Sequence, residues 1–307
     1  MDLKFHQDLA KYGPAAAPIP VSLMQARAYC AELTQCTYEN FTVVSYLLPR
    51  KLVPHFQAIY SYCRWADNLG DEIADSRQAL ELLKWWREQL EACYRNEAWH
   101  PVMVALNETI KQFQIPREPF LNLLTAFEQD QLINRYSSFE QLLGYCQNSA
   151  NPVGRLVLYL CEAYTEENAR LSDLICTGLQ LTNFWQDIAR DFDNLNRIYL
   201  PEEDLLRFSV AESDILEKHF TQEFRQLMIF EVHRAQQFFM EGQPLIARLP
   251  RKVRIDIELF RQGGLAILRK IEEQNYDVLS RRPKLRKVEK LKLFLKGLKV
   301  GLARRKI

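Results

Sequence analysis

Residues 58–72 read AIYSYCRWADNLGDE, and residues 179–191 read LQLTNFWQDIARD. In the first stretch Tyr60, Arg64, Asp67 and Asp71 stand at offsets 0, 4, 7 and 11; in the second, Gln180, Asn183, Asp187 and Asp191 stand at offsets 0, 3, 7 and 11. Residues three and four apart share one face of an α-helix, so each stretch writes a polar stripe along a helix whose other positions are apolar. The stripes lie 120 positions apart (187 − 67). Two long helices, each with a D-x-x-x-D ridge in an apolar setting, decide the reading as all-α.

Carboxylates at i and i+4 repel each other, and burying them unpaired costs several kcal/mol each. A cation between them relieves both penalties. Hard divalent cations prefer carboxylate oxygens, and Mg²⁺ takes one or two of them together with waters and phosphate oxygens. The pattern therefore predicts a Mg²⁺–diphosphate site. A single such pair in a chain with 39 acidic residues would read as a solvated helix face. The doubling outweighs that reading, because Arg64 sits one turn before the first pair and Gln180 and Asn183 precede the second. Ile59, Cys63, Ala66, Leu69, Leu181, Phe184 and Trp185 surround them with apolar neighbours.

The rest of the chain agrees. It has 307 residues, 48% hydrophobic, and only 10 glycines, enough to bury a large core at helical spacing. Helices are predicted over about 21–35, 39–48, 52–72, 76–95, 102–114, 117–133, 137–150, 152–164, 167–192, 211–219, 221–247, 251–277 and 285–303. Prolines 49, 101, 116, 152, 201, 250 and 283 mark breaks between them. The domain reading is a flexible lead-in over 1–20, one helical domain over 21–283 and a basic amphipathic helix over 284–307. Seven scattered cysteines without C-x-x-C spacing read as reduced thiols, which predicts a cytoplasmic protein. The opening MDLKFHQDLAKYG offers no apolar stretch for a signal peptide.

Charge is unevenly spread. Residues 281–307 hold 12 Lys and Arg against Glu289, a net +11, which leaves −10 on residues 1–280 within a total of +1. Leu291, Phe294, Leu295, Leu298 and Leu302 line one face of this tail. It fits either a helix lying on the anionic inner face of a membrane or a last helix packed on the domain with a solvated basic edge. Nucleic-acid binding is disfavoured, because no recognition motif accompanies the basic run.

With these stripes, YCQNSANPVG at 145–154, RIYLPEEDL at 197–205 and NYDVLSRRP at 275–283, the chain resembles the squalene/phytoene synthase family of head-to-head isoprenoid enzymes over residues 25–290. ENFTVVSYLLPR, SANPVGRLVL and NFWQD look most like its bacterial hydroxysqualene synthases. The resemblance implies a single-domain bundle of helices around a central apolar pocket, the two motifs facing each other across its mouth. It also implies that Asp67, Asp71, Asp187 and Asp191 hold several Mg²⁺ ions, with Asn183 and Gln180 in support. Tyr60, Arg64, Gln180, Asn183 and Arg197 would bind the substrate diphosphate, and Phe41, Asn148, Phe184 and Trp185 would line the pocket.

The departures sharpen the expectation. Asn148 stands where squalene and phytoene synthases carry a tyrosine tied to the first half-reaction, Gly264 where a second tyrosine is usual, and Gln186 where an arginine is usual. Arg190, one turn on, is placed to replace that charge. The expected reaction takes presqualene diphosphate and water to hydroxysqualene and diphosphate, without NADPH. The alternatives are a condensing synthase acting on two prenyl diphosphates and a non-catalytic assembly or binding member of the family; a cyclising terpene synthase fits the paired motifs poorly. Pathway enzymes that supply presqualene diphosphate and reduce the product are the expected partners. His55, His100, His219 and His233 lack metal spacing and are read as surface or locally bonded.

Overall fold

The computed structural model describes residues 3–36, 49–286 and 289, and among these it forms α-helices, no strand, and one isolated bridge between Arg135 and Ile198. The fold is all-α, as the sequence predicts. The internal contacts divide the chain into two compact units, residues 1–132 with 156–162, and residues 133–155 with 163–307.

The first unit holds α1 (Leu3–Tyr12), α2 (Leu23–Cys36), α3 (Val53–Asp71), α4 (Ser76–Tyr94), α5 (Pro101–Phe113) and α6 (Glu118–Asp130). The apolar face of α3 is its centre: Ala58, Ile59, Tyr62, Trp65, Ala66 and Leu69 are all buried. Trp65 and Trp86 stack at 5.3 Å and 17°, and Tyr62 stacks on Trp86 at 5.8 Å and 21°. His100 meets both tryptophans edge to face and caps α5, its Nδ1 accepting the Val102 N–H at 3.2 Å. The histidine is fully buried, as a local bond in a core and not as a surface group.

Residues 1–20, expected as a flexible lead-in, contain α1 instead. Phe5, Leu9 and Tyr12 repeat at i, i+4 and i+7, and Phe5 is buried against Trp65 at 5.5 Å between ring centroids. Tyr29 donates to Asp8 at 2.7 Å and Lys4 pairs with Glu32 at 2.6 Å, so polar contacts hold the same helix. Burying one phenylalanine is worth about 1.5–3 kcal/mol, which adds to these polar contacts and the helix's own backbone bonds in holding the segment.

Helix α8 (Asn151–Leu160) divides between the units at residue 156. The second unit otherwise holds α7 (Phe139–Ser149), α9 (Glu166–Leu195), α10 (Glu202–Arg207), α11 (Glu212–Leu216), α12 (Gln222–Gly242), α13 (Leu245–Arg248) and α14 (Arg251–Glu273). Thr165 starts α9 by accepting the Asn168 N–H at 3.1 Å, and Thr221 starts α12 by accepting the Phe224 N–H at 3.1 Å. Helices α12 and α14 pack on α9. Phe239 of α12 fills a slot made by two glycines: a Cβ at Gly264 would lie 2.5 Å from its Cζ, and one at Gly178 would lie 3.2 Å from its ring.

The predicted helices match α2 through α9 closely. The single helix expected over 221–247 ends at Gly242, with Pro244 opening the short α13, and α10 was not expected. The helix expected over 39–48, the pocket residue Phe41 and nearly all of the tail over 284–307 lie outside the described residues. Among the described residues no helix is long and apolar enough to cross a membrane.

Candidate functional site

In the first unit the stripe lies on the face of α3 away from the tryptophan core. Tyr60, Arg64 and Asp67 are half-buried and Asp71, at the helix end, is exposed. Arg64 donates from Nη1 to Asp67 Oδ2 at 2.7 Å. The last turn is held from outside: Gln131, just past α6, donates from Nε2 to the Gly70 carbonyl at 3.1 Å. The helix thus presents a cation and two carboxylates on one partly wet surface, with its other face locked in the core.

In the second unit the stripe runs along the last turns of α9. Gln180, Asp187 and Asp191 are half-buried and Asn183 is exposed. Burial, followed by the neighbouring charge of Asp187, pushes the Asp191 carboxyl up to about 7; Arg190, Arg197 and Arg282 pull it the other way. Asp191 thus sits beside a second carboxylate in a partly buried setting where the neighbouring arginines do not fully offset the cost of its charge.

The end of α9 also places Arg197. Asn196 closes the helix in the left-handed region, at φ 52° and ψ 34°, which asparagine tolerates better than most residues. The Arg197 N–H then reaches the Asp191 carbonyl at 3.2 Å, and the Ile198 N–H reaches the Asn134 carbonyl at 3.0 Å. Arg135 clamps this corner, donating from Nη1 to the Asn196 carbonyl at 2.5 Å and from Nη2 to its Oδ1 at 3.2 Å. Arg135 also pairs with Glu212 at 2.6 Å. Sequence reading gave Arg135 no part, because its partners lie 61 and 77 positions away.

The largest addition is Arg282. Its guanidinium clasps both oxygens of Asp187, Nη2 to Oδ2 at 2.8 Å and Nε to Oδ1. The charge expected from Arg190 therefore comes chiefly from Arg282, since Arg190 stands 3.9 Å from Asp187 and is 59% exposed. Gln186, the residue in place of the usual arginine, donates instead to the Pro283 carbonyl at 2.6 Å. The signal lay in NYDVLSRRP, which marks a conspicuous motif without saying what its arginines touch.

Of the expected pocket residues, Phe184 is buried and stacks on Tyr199 at 3.7 Å and 12°, with Tyr145 at 6.1 Å. Trp185 is fully buried on the core side of α9. Asn148 is half-buried on the last turn of α7. Asn151, on the next helix, accepts from the Thr177 hydroxyl at 3.0 Å and is structural.

The oxygen donors suit Mg²⁺. Among the described residues no three His, Cys, Asp or Glu gather into a closed cage. Mg²⁺ does not need one, since it keeps several waters and completes its shell with phosphate oxygens. On α9, the raised Asp191 carboxyl beside Asp187 fits such a cation; on α3, Asp67 and Asp71 present oxygen donors of the same kind.

A family model described as squalene/phytoene synthase matches residues 35–289. Phytoene synthase from Arthrospira platensis is 31% identical over 285 residues, spanning 86% of this chain and 89% of that protein. Hydroxysqualene synthase from Zymomonas mobilis is 33% identical over 193 residues, 61% of this chain and 63% of that protein. Among solved structures, squalene synthase HpnC from Alicyclobacillus acidocaldarius is 42% identical, with a TM-score of 0.80 over 84% of this chain and 97% of that one. A ligand-bound dehydrosqualene synthase, 23% identical with a TM-score of 0.81 over 90% of this chain and 96% of that one, shares the fold.

Proposed function

The chain belongs to the squalene/phytoene synthase family of head-to-head prenyltransferases, and from that premise we propose that it converts presqualene diphosphate and water to hydroxysqualene and diphosphate. The observation that carries the finer reading is Asn148 on α7, where condensing members of the family carry a tyrosine. The 33% identity to a hydroxysqualene synthase supports it.

In this reading Asp67, Asp71, Asp187 and Asp191 hold Mg²⁺, which supplies Lewis-acid stabilisation of the leaving diphosphate. Arg64 and Arg197 bind the diphosphate oxygens and stabilise the charge that grows on them as the carbon–oxygen bond breaks. The cyclopropylcarbinyl cation so formed rearranges to an allylic cation. Water adds through its oxygen, one proton leaves, and hydroxysqualene results. The water oxygen supplies the electron pair of the new carbon–oxygen bond, so the balance needs no hydride and no reductant.

The specific rival is condensation of two prenyl diphosphates, favoured by the longer matches to phytoene synthases. Purified protein with Mg²⁺, without NADPH, separates the two when given presqualene diphosphate or farnesyl diphosphate in separate reactions followed by mass spectrometry. Hydroxysqualene from presqualene diphosphate, with farnesyl diphosphate untouched, is expected. Consumption of farnesyl diphosphate would assign the condensing reaction instead. No turnover of either would favour a binding role.

A further inference from the structure

Arg282 engages both oxygens of an aspartate assigned above to Mg²⁺, with side-chain exposures of 23% for Arg282 and 15% for Asp187. The pair is therefore partly shielded from water, and a forked guanidinium–carboxylate contact is among the stronger ion pairs. A Mg²⁺ ion held by Asp187 would bring a double positive charge to the carboxylate that the guanidinium already occupies. Arg282 and the metal therefore compete for one carboxylate.

The backbone makes this contact a device rather than a chance pairing. Two successive residues of α9 hold two successive residues of the opposing segment: Gln186 binds the Pro283 carbonyl and Asp187 binds the Arg282 side chain. Upstream, the chain is tied into a loop of its own. Gln274 donates to the carbonyls of Asp277 at 2.8 Å and Arg281 at 3.0 Å, the Ser280 N–H reaches Asp277 at 2.9 Å, and Val278 and Leu279 are buried. Downstream, Pro283 is buried and Glu289 pairs with Lys270 at 2.5 Å; freeing the Arg282 side chain disturbs none of these bonds, so the guanidinium can leave Asp187 while the backbone on both sides stays in place. The other charges at this end of α9 include Asp191, Arg190 and Arg197, Asp193 paired with Lys218 at 2.7 Å, and Arg135 paired with Glu212 at 2.6 Å.

We propose that Arg282 is the resident counter-ion of Asp187 and that it is displaced when Mg²⁺ binds, so that the 282–283 strap sets the metal affinity of the second aspartate pair. The inference rests on the Mg²⁺ reading of the site given above. Arg282 balances the Asp187 charge before loading and yields its place to the metal.

Titration of the full chain with MgCl₂ in a calorimeter, without substrate, tests this. Arg282→Gln is expected to bind Mg²⁺ about tenfold more tightly than the wild type, the loss of a partly solvated ion pair being converted into metal affinity. Gln186→Ala, which keeps the arginine and only unpins Pro283, should shift affinity the same way by a smaller factor. A purely structural role would weaken binding in both variants. Equal or weaker Mg²⁺ binding by folded Arg282→Gln and Gln186→Ala overturns the proposal and leaves the Mg²⁺ site standing. Absence of Mg²⁺ binding in the wild type and both variants overturns the proposal together with that site.

Discussion

Single side chains decide most of the chemistry. Asp67→Asn removes a carboxylate charge while keeping shape and hydrogen-bonding capacity, and it lifts like-charge repulsion from Asp71. Turnover should fall by more than the roughly 10–100-fold typical of losing a partner outside the ligand set, with an unchanged circular dichroism spectrum; full Mg²⁺-dependent activity would remove Asp67 from the site. His100 gives a prediction of another kind. Burial among tryptophans pushes its imidazole down to about 3, from 6.5 in an open chain. Only the unfolded chain takes up the proton between these values. The contribution of His100 is complete above pH 6.5 and is lost as pH falls towards 3, by up to about 1.4 kcal/mol per unit. His100→Asn retains an N-cap acceptor, so its stability should fall less steeply than the wild type across that window in denaturant titrations. Nothing in the spacing of the histidines announced this burial, because it depends on Trp65 and Trp86 reaching His100 from other helices.

At the scale of elements, the sequence was most readable where a helix carries both an apolar face and a cap or proline, and α3 through α9 came out within a few residues. It was least readable where a helix is short. The six residues of α10 after Pro201 are too few to show a period, and α13 separates from α12 only at Pro244. The stripes were legible because a helix converts spacing directly into a face. The contacts that finish the site were not, since Arg282 meets Asp187 across 95 positions and Arg135 meets Asn196 across 61. The corner after α9 is where element geometry controls a functional residue. Asn196→Ala should cost about 1 kcal/mol, because alanine lacks the local hydrogen bonding that lets asparagine occupy left-handed backbone. It should also raise KM more than it lowers kcat, as Arg197 loses its fixed approach. Asn196→Gly should keep both near wild type. Thermal melts with steady-state kinetics on the two variants check this.

Over the whole molecule, charge is segregated: −10 on residues 1–280 and +11 on residues 281–307. A basic amphipathic tail attached to an acidic body should bind anionic vesicles at low salt and leave them as salt rises. In sedimentation, the full chain is expected to pellet with vesicles rich in anionic lipid, and a chain shortened after residue 283 to stay in the supernatant. Equal behaviour of both would favour the packed-helix reading of the tail. The slot around Phe239 has a consequence on a longer scale. Gly264 stands where relatives of this family carry a tyrosine, yet the Phe239 ring already occupies the first step of any side chain there, 2.5 Å from a modest Cβ. A side chain at position 264 therefore requires the Phe239 ring to shift or to be replaced with it, so the two positions are sterically tied and a tyrosine at 264 is not a one-residue change.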